Sequence, residues 1–261
     1  MANFSTVSDA TTPVATEHSI AARIRGVTRS FGDGGAKLLV LKGIDLDVRC
    51  GDITMLVGPS GCGKTTLISI IAGTLEADAG EIEVFGNNLR TMSKSAITRF
   101  RAFNIGFIFQ QFHLIPTLNC IENVSVPLLI QGSSTRNAEK KARLVLEKVG
   151  LGEHMKKRSA QLSGGQQQRV AIARALVHEP RLIICDEPTA ALDAKNGHLV
   201  MELFEHVARS PDRAVVIVTH DNRIFQYANR IASMDDGSVF DVHDSDGVKP
   251  LPEHLSHIAH A

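Results

Sequence analysis

A glycine-rich segment, residues 58–65, has the pattern G-x-x-x-x-G-K-[ST] and lies between a short apolar run and a segment with helical spacing of apolar residues. In such a loop, successive backbone N–H groups surround phosphate oxygens, and the start of the following helix adds positive potential. Lys64 supplies a point charge, and the hydroxyl of Thr65 can ligate Mg²⁺. The pattern therefore predicts an α/β phosphate-binding domain, with a plain glycine-rich turn as the alternative. The predicted phosphate-binding residues are Gly58, Pro59, Ser60, Gly61, Cys62, Gly63, Lys64, Thr65 and Thr66.

Two adjacent acids follow another apolar run, residues 182–185. In open parallel sheets, ligands bind beyond the carboxyl ends of the strands, so Asp186 is expected to hold Mg²⁺ through water. Glu187 is expected to orient an attacking water molecule and accept its proton. Capping of a helix is the alternative role for either acid.

Composition and charge exclude several classes of protein. The net charge is zero, with 28 Lys+Arg and 28 Asp+Glu among 261 residues, which argues against a nucleic-acid partner. No apolar run approaches the roughly 20 residues that span a bilayer. The cysteines form no Cys-x-x-Cys pair, so a reducing, cytoplasmic setting is expected. Residues 1–19 lack the basic start and apolar block of a secretory signal and are predicted to be a disordered leader.

The order of the remaining patterns predicts one domain, residues 20–242, followed by a tail at residues 243–261. The first part is rich in strand patterns. Helix-forming composition from about 117 to 162 then predicts an inserted helical subdomain, with bounds of about 112–178. The strand–helix alternation after it predicts a parallel α/β core. The predicted strands include residues 44–48, 53–57, 81–85, 105–109, 182–185, 215–218, 231–234 and 239–242.

A second glycine-containing segment, Leu162-Ser163-Gly164-Gly165-Gln166, precedes another helical run and predicts a second anion-binding helix N-terminus. This segment resembles the signature of ABC-type ATPases. The resemblance implies an ABC-type P-loop nucleotide-binding domain with a RecA-like core, an N-terminal antiparallel β part and an inserted α-helical subdomain. It also implies ATP and Mg²⁺ as cofactors, bound in a head-to-tail homodimer. Each nucleotide would lie between one chain's residues 58–65 and the other chain's Ser163, Gly164, Gly165 and Gln166.

Four further positions match this family. Phe31 resembles the aromatic residue on which adenine stacks, with a core position in an edge strand as the alternative. Gln110 resembles the glutamine that senses Mg²⁺ and the γ-phosphate, and Gln111 is an adjacent alternative. His220 resembles the histidine that hydrogen-bonds the γ-phosphate, and Asp193 resembles the aspartate that couples the two sites across the dimer. The implied catalytic residues are Gln110, Glu187 and His220, and the implied metal ligands are Thr65, Gln110 and Asp186.

Within the family, residues 106–118 and 219–224 are most similar to the ATPases of the MacB, lipoprotein-releasing (LolD) and DevA group, with the heterocyst-type exporter DevA as the closest match. This implies an export ATPase on the cytoplasmic face of the bacterial inner membrane. Its implied partners are separate permease subunits with a large periplasmic domain, docked near residues 110–130, a periplasmic adaptor and an outer-membrane channel. The alternatives are an FtsE-like regulator of the envelope or of cell division, an amino-acid importer ATPase, and a soluble ABC protein acting on DNA or ribosomes.

Overall fold

The computed structural model describes residues 19–32 and 37–245, so residues 1–18 of the predicted leader and residues 246–261 of the predicted tail lie outside the described residues. Its strands are β1 (Ile20–Phe31), β2 (Leu38–Arg49), β3 (Ile53–Val57), β4 (Ala79–Val84), β5 (Asn87–Asn88), β6 (Ile105–Ile108), β7 (Leu182–Asp186), β8 (Ala214–Val218), β9 (Arg230–Asp235) and β10 (Ser238–Asp244). Its helices are α1 (Lys64–Ile71), α2 (Lys94–Asn104), α3 (Cys120–Ile130), α4 (Thr135–Lys148), α5 (Gly164–Leu176) and α6 (Ala194–Ala208). Within the described ranges, none of these helices has the length and apolar character that would let it cross a bilayer.

The strands form two sheets. β2, β1, β4 and β5 form an antiparallel sheet, and β10, β9, β3, β8, β7 and β6 form a mainly parallel sheet in that order. Every residue of β3, β7 and β8 is buried, as expected for apolar runs that are covered on both faces. Because β3, β8, β7 and β6 run in the same direction, their carboxyl ends meet at one edge. The predicted α/β fold with an antiparallel N-terminal part is confirmed.

Three hydrophobic clusters hold these layers together. The first lies between the antiparallel sheet and one face of the parallel sheet, and the second lies between the other face and α6. The third is formed mainly by α3, α4 and α5, which make up the inserted helical subdomain. α5 contributes to two of them: Val170 and Ala173 belong to the third cluster, and Ile172 and Ala175 belong to the second. This helix therefore joins the inserted subdomain to the parallel core.

The sequence patterns do not predict α2. None of the residues of this helix is fully buried, so its apolar residues do not form the periodic stripe that indicates an amphipathic helix. A local signal does mark its start, because the side-chain oxygen of Ser93 accepts a hydrogen bond from the N–H of Ala96 at 3.2 Å. A capping residue, rather than periodicity, is the signal that could have found this helix.

The last strand extends beyond the predicted boundary of the domain. His243 and Asp244, predicted to belong to the tail, pair with β9. The carboxylate of Asp244 accepts hydrogen bonds from Nη1 of Arg49 at 3.0 and 3.1 Å. The sequence did not indicate this extension because its stabilising contact is to a residue 195 positions away.

His178, after α5, is expected to make the protein sensitive to acid. Its ring donates from Nε2 to the carbonyl oxygen of Ile105 at 3.2 Å, and burial lowers the pKa of His178. The unfolded chain, with a histidine pKa of about 6.5, therefore takes up a proton before the folded chain does. The contribution of neutral His178 to stability is complete above the pKa of the unfolded chain. It is lost as the pH falls from that value towards the lower pKa of the folded chain.

We expect the free energy of unfolding to fall between pH 7.5 and pH 5.5 by more in the wild type than in His178→Gln, which keeps a donor but does not titrate. Urea unfolding at both pH values measures this difference. His206→Gln, at an exposed position, is the matched control and is expected to leave the pH dependence of the wild type unchanged. The same pH dependence in wild type and His178→Gln would contradict the prediction.

Candidate functional site

The glycine-rich loop joins β3 to α1 and lies very close to neighbouring chain segments. Gly58 has a φ of 152°, and a Cβ atom there would lie 2.0 Å from the carbonyl oxygen of Met234. Gly63 has a φ of 103°, and a Cβ atom there would lie 2.7 Å from Cδ2 of Leu41. The positive φ angles favour glycine at both positions, and the approach to a backbone oxygen excludes a side chain at Gly58. The loop therefore has the strand–loop–helix geometry that phosphate binding needs.

Lys64 begins α1, and its side chain folds back over this loop. Its Nζ donates hydrogen bonds to the carbonyl oxygens of Gly58 and Pro59, both at 2.8 Å, and lies 3.6 Å from Sγ of Cys62. Only 9% of Lys64 is exposed. Since a buried ammonium group must be hydrogen-bonded, these acceptors fix a positive charge inside the loop. The charge lies where a phosphate oxygen can replace a carbonyl oxygen as its partner.

Thr65 brings the start of α1 into contact with the end of β7. Its Oγ1 donates a hydrogen bond to Oδ2 of Asp186 at 2.9 Å. Burial raises the pKa of Asp186, and both this hydrogen bond and the charge of Lys64 oppose the rise. A hydroxyl and a buried carboxylate oxygen at this distance are hard ligands of the kind that Mg²⁺ prefers. The residues present therefore fit a magnesium ion bound between α1 and β7.

Glu187, the next residue, contacts a different neighbour. Its Oε1 lies 2.7 Å from Nδ1 of His220, which follows β8 in the chain. Its backbone has a φ of 52°, an uncommon value for a residue other than glycine, and its N–H donates to the carbonyl oxygen of Val218 at 2.9 Å. Burial raises the pKa of Glu187, and the hydrogen bond from His220 opposes the rise. A buried carboxylate with a raised pKa beside an exposed histidine is chemically suited to accept a proton.

The predicted second anion site lies at the start of α5. Ser163 and Gln166 form a capping box: Oγ of Ser163 accepts from the N–H of Gln166 at 3.3 Å, and Oε1 of Gln166 accepts from the N–H of Ser163 at 2.9 Å. Gly164 is exposed. A Cβ atom on Gly165 would lie 3.1 Å from the carbonyl oxygen of Ala191. The start of α5 is therefore packed against the segment that follows β7. The exposed side of this helix start is available to another molecule.

Phe31 and the two candidate glutamines lie at the surface. Phe31 ends β1 with 41% of the residue exposed, so the core alternative is wrong. The guanidinium of Arg29 lies 4.9 Å from the centre of its ring. Gln110 and Gln111 are both exposed in the connection after β6, because that strand ends at Ile108. The geometry leaves both glutamines as candidates.

Asp193 caps the start of α6. Its Oδ1 accepts a hydrogen bond from the N–H of Asn196 at 2.8 Å, and its two carboxylate oxygens contact Nδ2 of Asn196 at 2.9 and 2.8 Å. These hydrogen bonds hold the pKa of Asp193 below its usual range. The carboxylate is therefore anionic at neutral pH, at the end of a loop that contacts the start of α5.

Arg174 was missed as a functional candidate. It lies on α5 and donates hydrogen bonds to the carbonyl oxygens of Phe112 and His113, at 2.8 and 2.6 Å, in the connection that also contains Gln110. No sequence signal could have indicated this contact, since its acceptors are main-chain carbonyls 62 and 61 positions away. The side chain of Arg174 therefore links α5 to the connection that follows β6.

Arg174 also lines a groove of about 270 Å³ bounded by α2, α3 and the end of α5. We call it the α2–α3 groove. Ile130, one of its lining residues, is a large apolar residue that is exposed. Phe103 on α2 and Leu129 on α3 are also exposed, and each is next in the chain to a lining residue. Exposed apolar surface beside a groove is typical of a protein–protein contact.

A phosphate loop after β3, adjacent acids at the end of β7 and a histidine after β8 gather at one edge of a parallel sheet, and a helical subdomain is inserted beside it. This combination defines a P-loop ATPase. Residues 41–190 match the ABC transporter family. The chain belongs to that family: it is the ATP-binding part of a transporter, and it hydrolyses ATP.

Individual relatives agree with this assignment. The chain is 43% identical over 215 residues to the lipoprotein-releasing system ATP-binding protein LolD 2 of Caulobacter vibrioides, covering 82% of this chain and 94% of that protein. It is 41% identical over 216 residues to the macrolide export ATP-binding/permease protein MacB of Wolinella succinogenes, covering 83% of this chain and 33% of that protein. The predicted family and group are confirmed, and the closest match to DevA stays a prediction.

A solved structure has the same fold. It is the dimeric post-hydrolysis state of the ATP-binding cassette MJ0796 bound to ADP and Pi, with a TM-score of 0.83 and 35% sequence identity, covering 87% of this chain and all (100%) of that one. The likeness therefore covers most of this chain. ATP binding and hydrolysis therefore agree with both the fold and the relatives.

Proposed function

We infer that this chain is the ATPase subunit of an export complex of the MacB, lipoprotein-releasing and DevA type. It closes as a homodimer on two Mg·ATP and drives separate transmembrane permease subunits. One arrangement carries the hydrolytic part of the proposal: Asp186 contacts Thr65, whereas the adjacent Glu187 contacts His220. Two neighbouring acids with different partners are suited to two different tasks in one reaction.

The first task is to bind the nucleotide. Lys64 and the backbone N–H groups of residues 58–66 bind the phosphates, and Phe31 stacks on adenine through its exposed ring face. Thr65, Asp186 and Gln110 hold Mg²⁺, which neutralises charge on the phosphate oxygens when it is bound.

The second task is to transfer a proton. Glu187 orients the attacking water and accepts its proton at the carboxylate, since burial raises the pKa of this group. His220, with its side chain 64% exposed, holds Glu187 through Nδ1 and is accessible for contact with the γ-phosphate. The buried acid and the exposed histidine thus act on the same phosphate from neighbouring strand ends.

The dimer completes the site. Ser163, Gly164, Gly165 and Gln166 lie at the exposed start of α5, whose backbone N–H groups suit an anion. In a head-to-tail dimer this helix start covers the γ-phosphate bound by the partner chain. Asp193, anionic and next to the same helix start, couples the two sites. The dimeric cassette with a TM-score of 0.83 to this chain supports such an assembly.

The α2–α3 groove is the docking site for the permease in this proposal. Ile130, at its rim, is 68% exposed, although it is a large apolar residue. An inserted segment of the permease would contact Arg174, which holds the connection containing Gln110. Movement of the permease would therefore reach both the magnesium ligand and α5. Two of the groove's lining residues, Pro127 and Ile130, fall within residues 110–130, near which docking is expected.

The remaining features of the proposal extend the resemblance to the MacB, lipoprotein-releasing and DevA group. We assign the ATPase to the cytoplasmic face of a bacterial inner membrane as a peripheral subunit. Its permease carries a large periplasmic domain and works with a periplasmic adaptor and an outer-membrane channel. The exported molecule is an envelope component such as a lipoprotein or glycolipid. The names of two relatives support the export role and the permease partner: one is a lipoprotein-releasing system ATP-binding protein, and the other is a macrolide export ATP-binding/permease protein.

Trapping the closed dimer tests the proposal. Tagged Glu187→Gln is incubated with Mg·ATP in native membranes, isolated in mild detergent, and its copurifying proteins are identified by mass spectrometry. We expect a permease with a large periplasmic domain, together with an adaptor. A permease bound to cell-wall hydrolases would favour the envelope regulator, and an amino-acid permease would favour the importer. Recovery of no membrane protein would contradict the transport role.

A second variant tests the docking site. Ile130→Asp, added to Glu187→Gln, is expected to lose the permease and to keep the ATP-dependent dimer, because the charge lies in the α2–α3 groove and away from the phosphate loop. Leu144→Asp is the matched control: this leucine is also exposed, at 53%, but lies on α4 outside the groove. Equal permease recovery with both variants would place docking elsewhere.

A further inference from the structure

A second cleft, of about 380 Å³, lies on another part of the surface, between the end of α4, the chain after α5 and the last turns of α6. We call it the seam cleft, because it follows the boundary between two hydrophobic clusters. Val145 and Leu203 on its wall belong with the cluster of the helical subdomain. Leu176 and Val207 on its wall belong with the cluster under the parallel sheet. A molecule in the cleft would contact both parts of the domain.

The α4 wall of the cleft has a specific pattern. Lys141, Leu144, Val145 and Lys148 are at positions i, i+3, i+4 and i+7, which form one face of a helix. Leu144 is 53% exposed between the two lysines. This face therefore presents apolar surface flanked by two ammonium groups.

A third cation lies across the cleft. Arg213 is one of its lining residues, and Glu179 is the one acid among them. In the described part of the chain, the charged nitrogens of Lys141, Lys148 and Arg213 have no carboxylate oxygen within 4.0 Å. Oγ of Ser210 donates a hydrogen bond to Oδ1 of Asp212, beside Arg213, at 2.6 Å. This hydrogen bond and, to a smaller extent, the charge of Arg213 lower the pKa of Asp212. The cleft thus has apolar walls and a net positive rim.

We propose that the seam cleft binds an amphiphilic monoanion, specifically an acyl carboxylate. Its volume is in the range of sites that hold one small ligand, and such sites are mostly apolar with a few polar groups that fix orientation. The acyl chain removes the exposed apolar surface of Leu144 and Val145 from water. The carboxylate lies among Lys141, Lys148 and Arg213. This site shares no lining residue with the α2–α3 groove and does not depend on the export role.

Methyl NMR of the full chain, with labelled Ile, Leu and Val, tests the proposal by titration with decanoate below its micelle concentration. We expect saturable shifts confined to methyl groups of the cleft, such as those of Leu144, Val145 and Leu203. Decyltrimethylammonium has the same apolar chain and the opposite charge, and it is expected to bind at least tenfold more weakly. Equal affinity for both probes would overturn the proposal.

Charge variants test the role of the rim. The double variant Lys141→Ala with Lys148→Ala is expected to raise the decanoate Kd about fivefold, as for two exposed ion pairs. The double variant Lys140→Ala with Lys156→Ala removes the same charge from exposed positions outside the cleft and is expected to leave the Kd unchanged. Leu144→Glu, at an exposed position that tolerates a polar side chain, is expected to abolish saturable binding.

Three outcomes would contradict the proposal. Shifts spread over exposed methyl groups such as that of Ile130, without saturation, would show nonspecific adsorption. Binding to phosphatidylglycerol vesicles but not to decanoate would show a membrane contact. Binding of decanoate only after deletion of residues 246–261 would show that this segment of the chain is the occupant.

Discussion

Replacing Glu187 with Gln is expected to lower the rate of ATP hydrolysis at least 100-fold and to leave ATP binding close to that of the wild type. A positioned general base contributes roughly 10²- to 10⁴-fold to a rate. Glutamine has the same shape as glutamate and keeps an oxygen that can accept a hydrogen bond from Nδ1 of His220. The variant therefore retains the geometry of the site and loses only the group that accepts the proton.

Three measurements separate binding from chemistry in this variant. Phosphate release at saturating Mg·ATP gives the rate, calorimetry gives the affinity, and size-exclusion chromatography with ATP shows whether closed dimers accumulate. Glu147→Gln, at an exposed position on α4, is the matched control and is expected to hydrolyse ATP normally. A rate within threefold of the wild type would show that Glu187 is not the base.

Burial of Glu187 also affects the stability of the wild-type protein. Because burial raises its pKa, the folded state disfavours the charged carboxylate at neutral pH. Such a cost is typical of functional sites, where stability is lowered for the sake of chemistry. The same residue has a backbone φ of 52°, which is uncommon outside glycine.

Replacing Lys64 with Ala is expected to weaken ATP binding by about 10- to 100-fold. A hydrogen bond to a charged group contributes roughly 1.5–3 kcal/mol, and each 1.4 kcal/mol changes an equilibrium constant tenfold. Lys64 also donates to the carbonyl oxygens of Gly58 and Pro59, so its removal disturbs the loop as well as the charge.

Lys64→Met separates these two effects. It keeps most of the buried aliphatic chain and removes the ammonium group. If the charge is responsible, both variants weaken ATP binding in calorimetry, and Lys64→Met unfolds at a temperature close to that of the wild type. Wild-type affinity in either folded variant would contradict the role of Lys64 in phosphate binding.

The phosphate loop could be predicted in detail because its requirements are local. Gly58 and Gly63 adopt backbone angles that favour glycine, so the glycines in the sequence indicate this loop without any knowledge of distant contacts. The buried strands β3, β7 and β8 could be predicted from continuous apolar runs, since both faces of each are covered. The helix α2 could not be predicted by periodicity, because none of its residues is fully buried.

Contacts between segments that are distant in the chain could not be predicted from local sequence patterns. Thr65 and Asp186 were both expected at the carboxyl edge of the sheet, but their hydrogen bond joins residues 121 positions apart. It depends on the strand order, in which β8 lies between β3 and β7. The contact of Arg174 with Phe112 and His113 depends in the same way on how the inserted subdomain packs against the core.

The sequence by itself determined the family, the phosphate loop, the acids and histidine at the strand ends, and the helical insertion, because each follows from neighbouring residues and their spacing. Only the tertiary structure decided which partner each acid contacts, that Phe31 is exposed, and where the α2–α3 groove and the seam cleft lie. These features depend on strand order and on the packing of α3, α4 and α5 against the parallel sheet. Both arise from hydrophobic contacts between residues that are far apart in the chain.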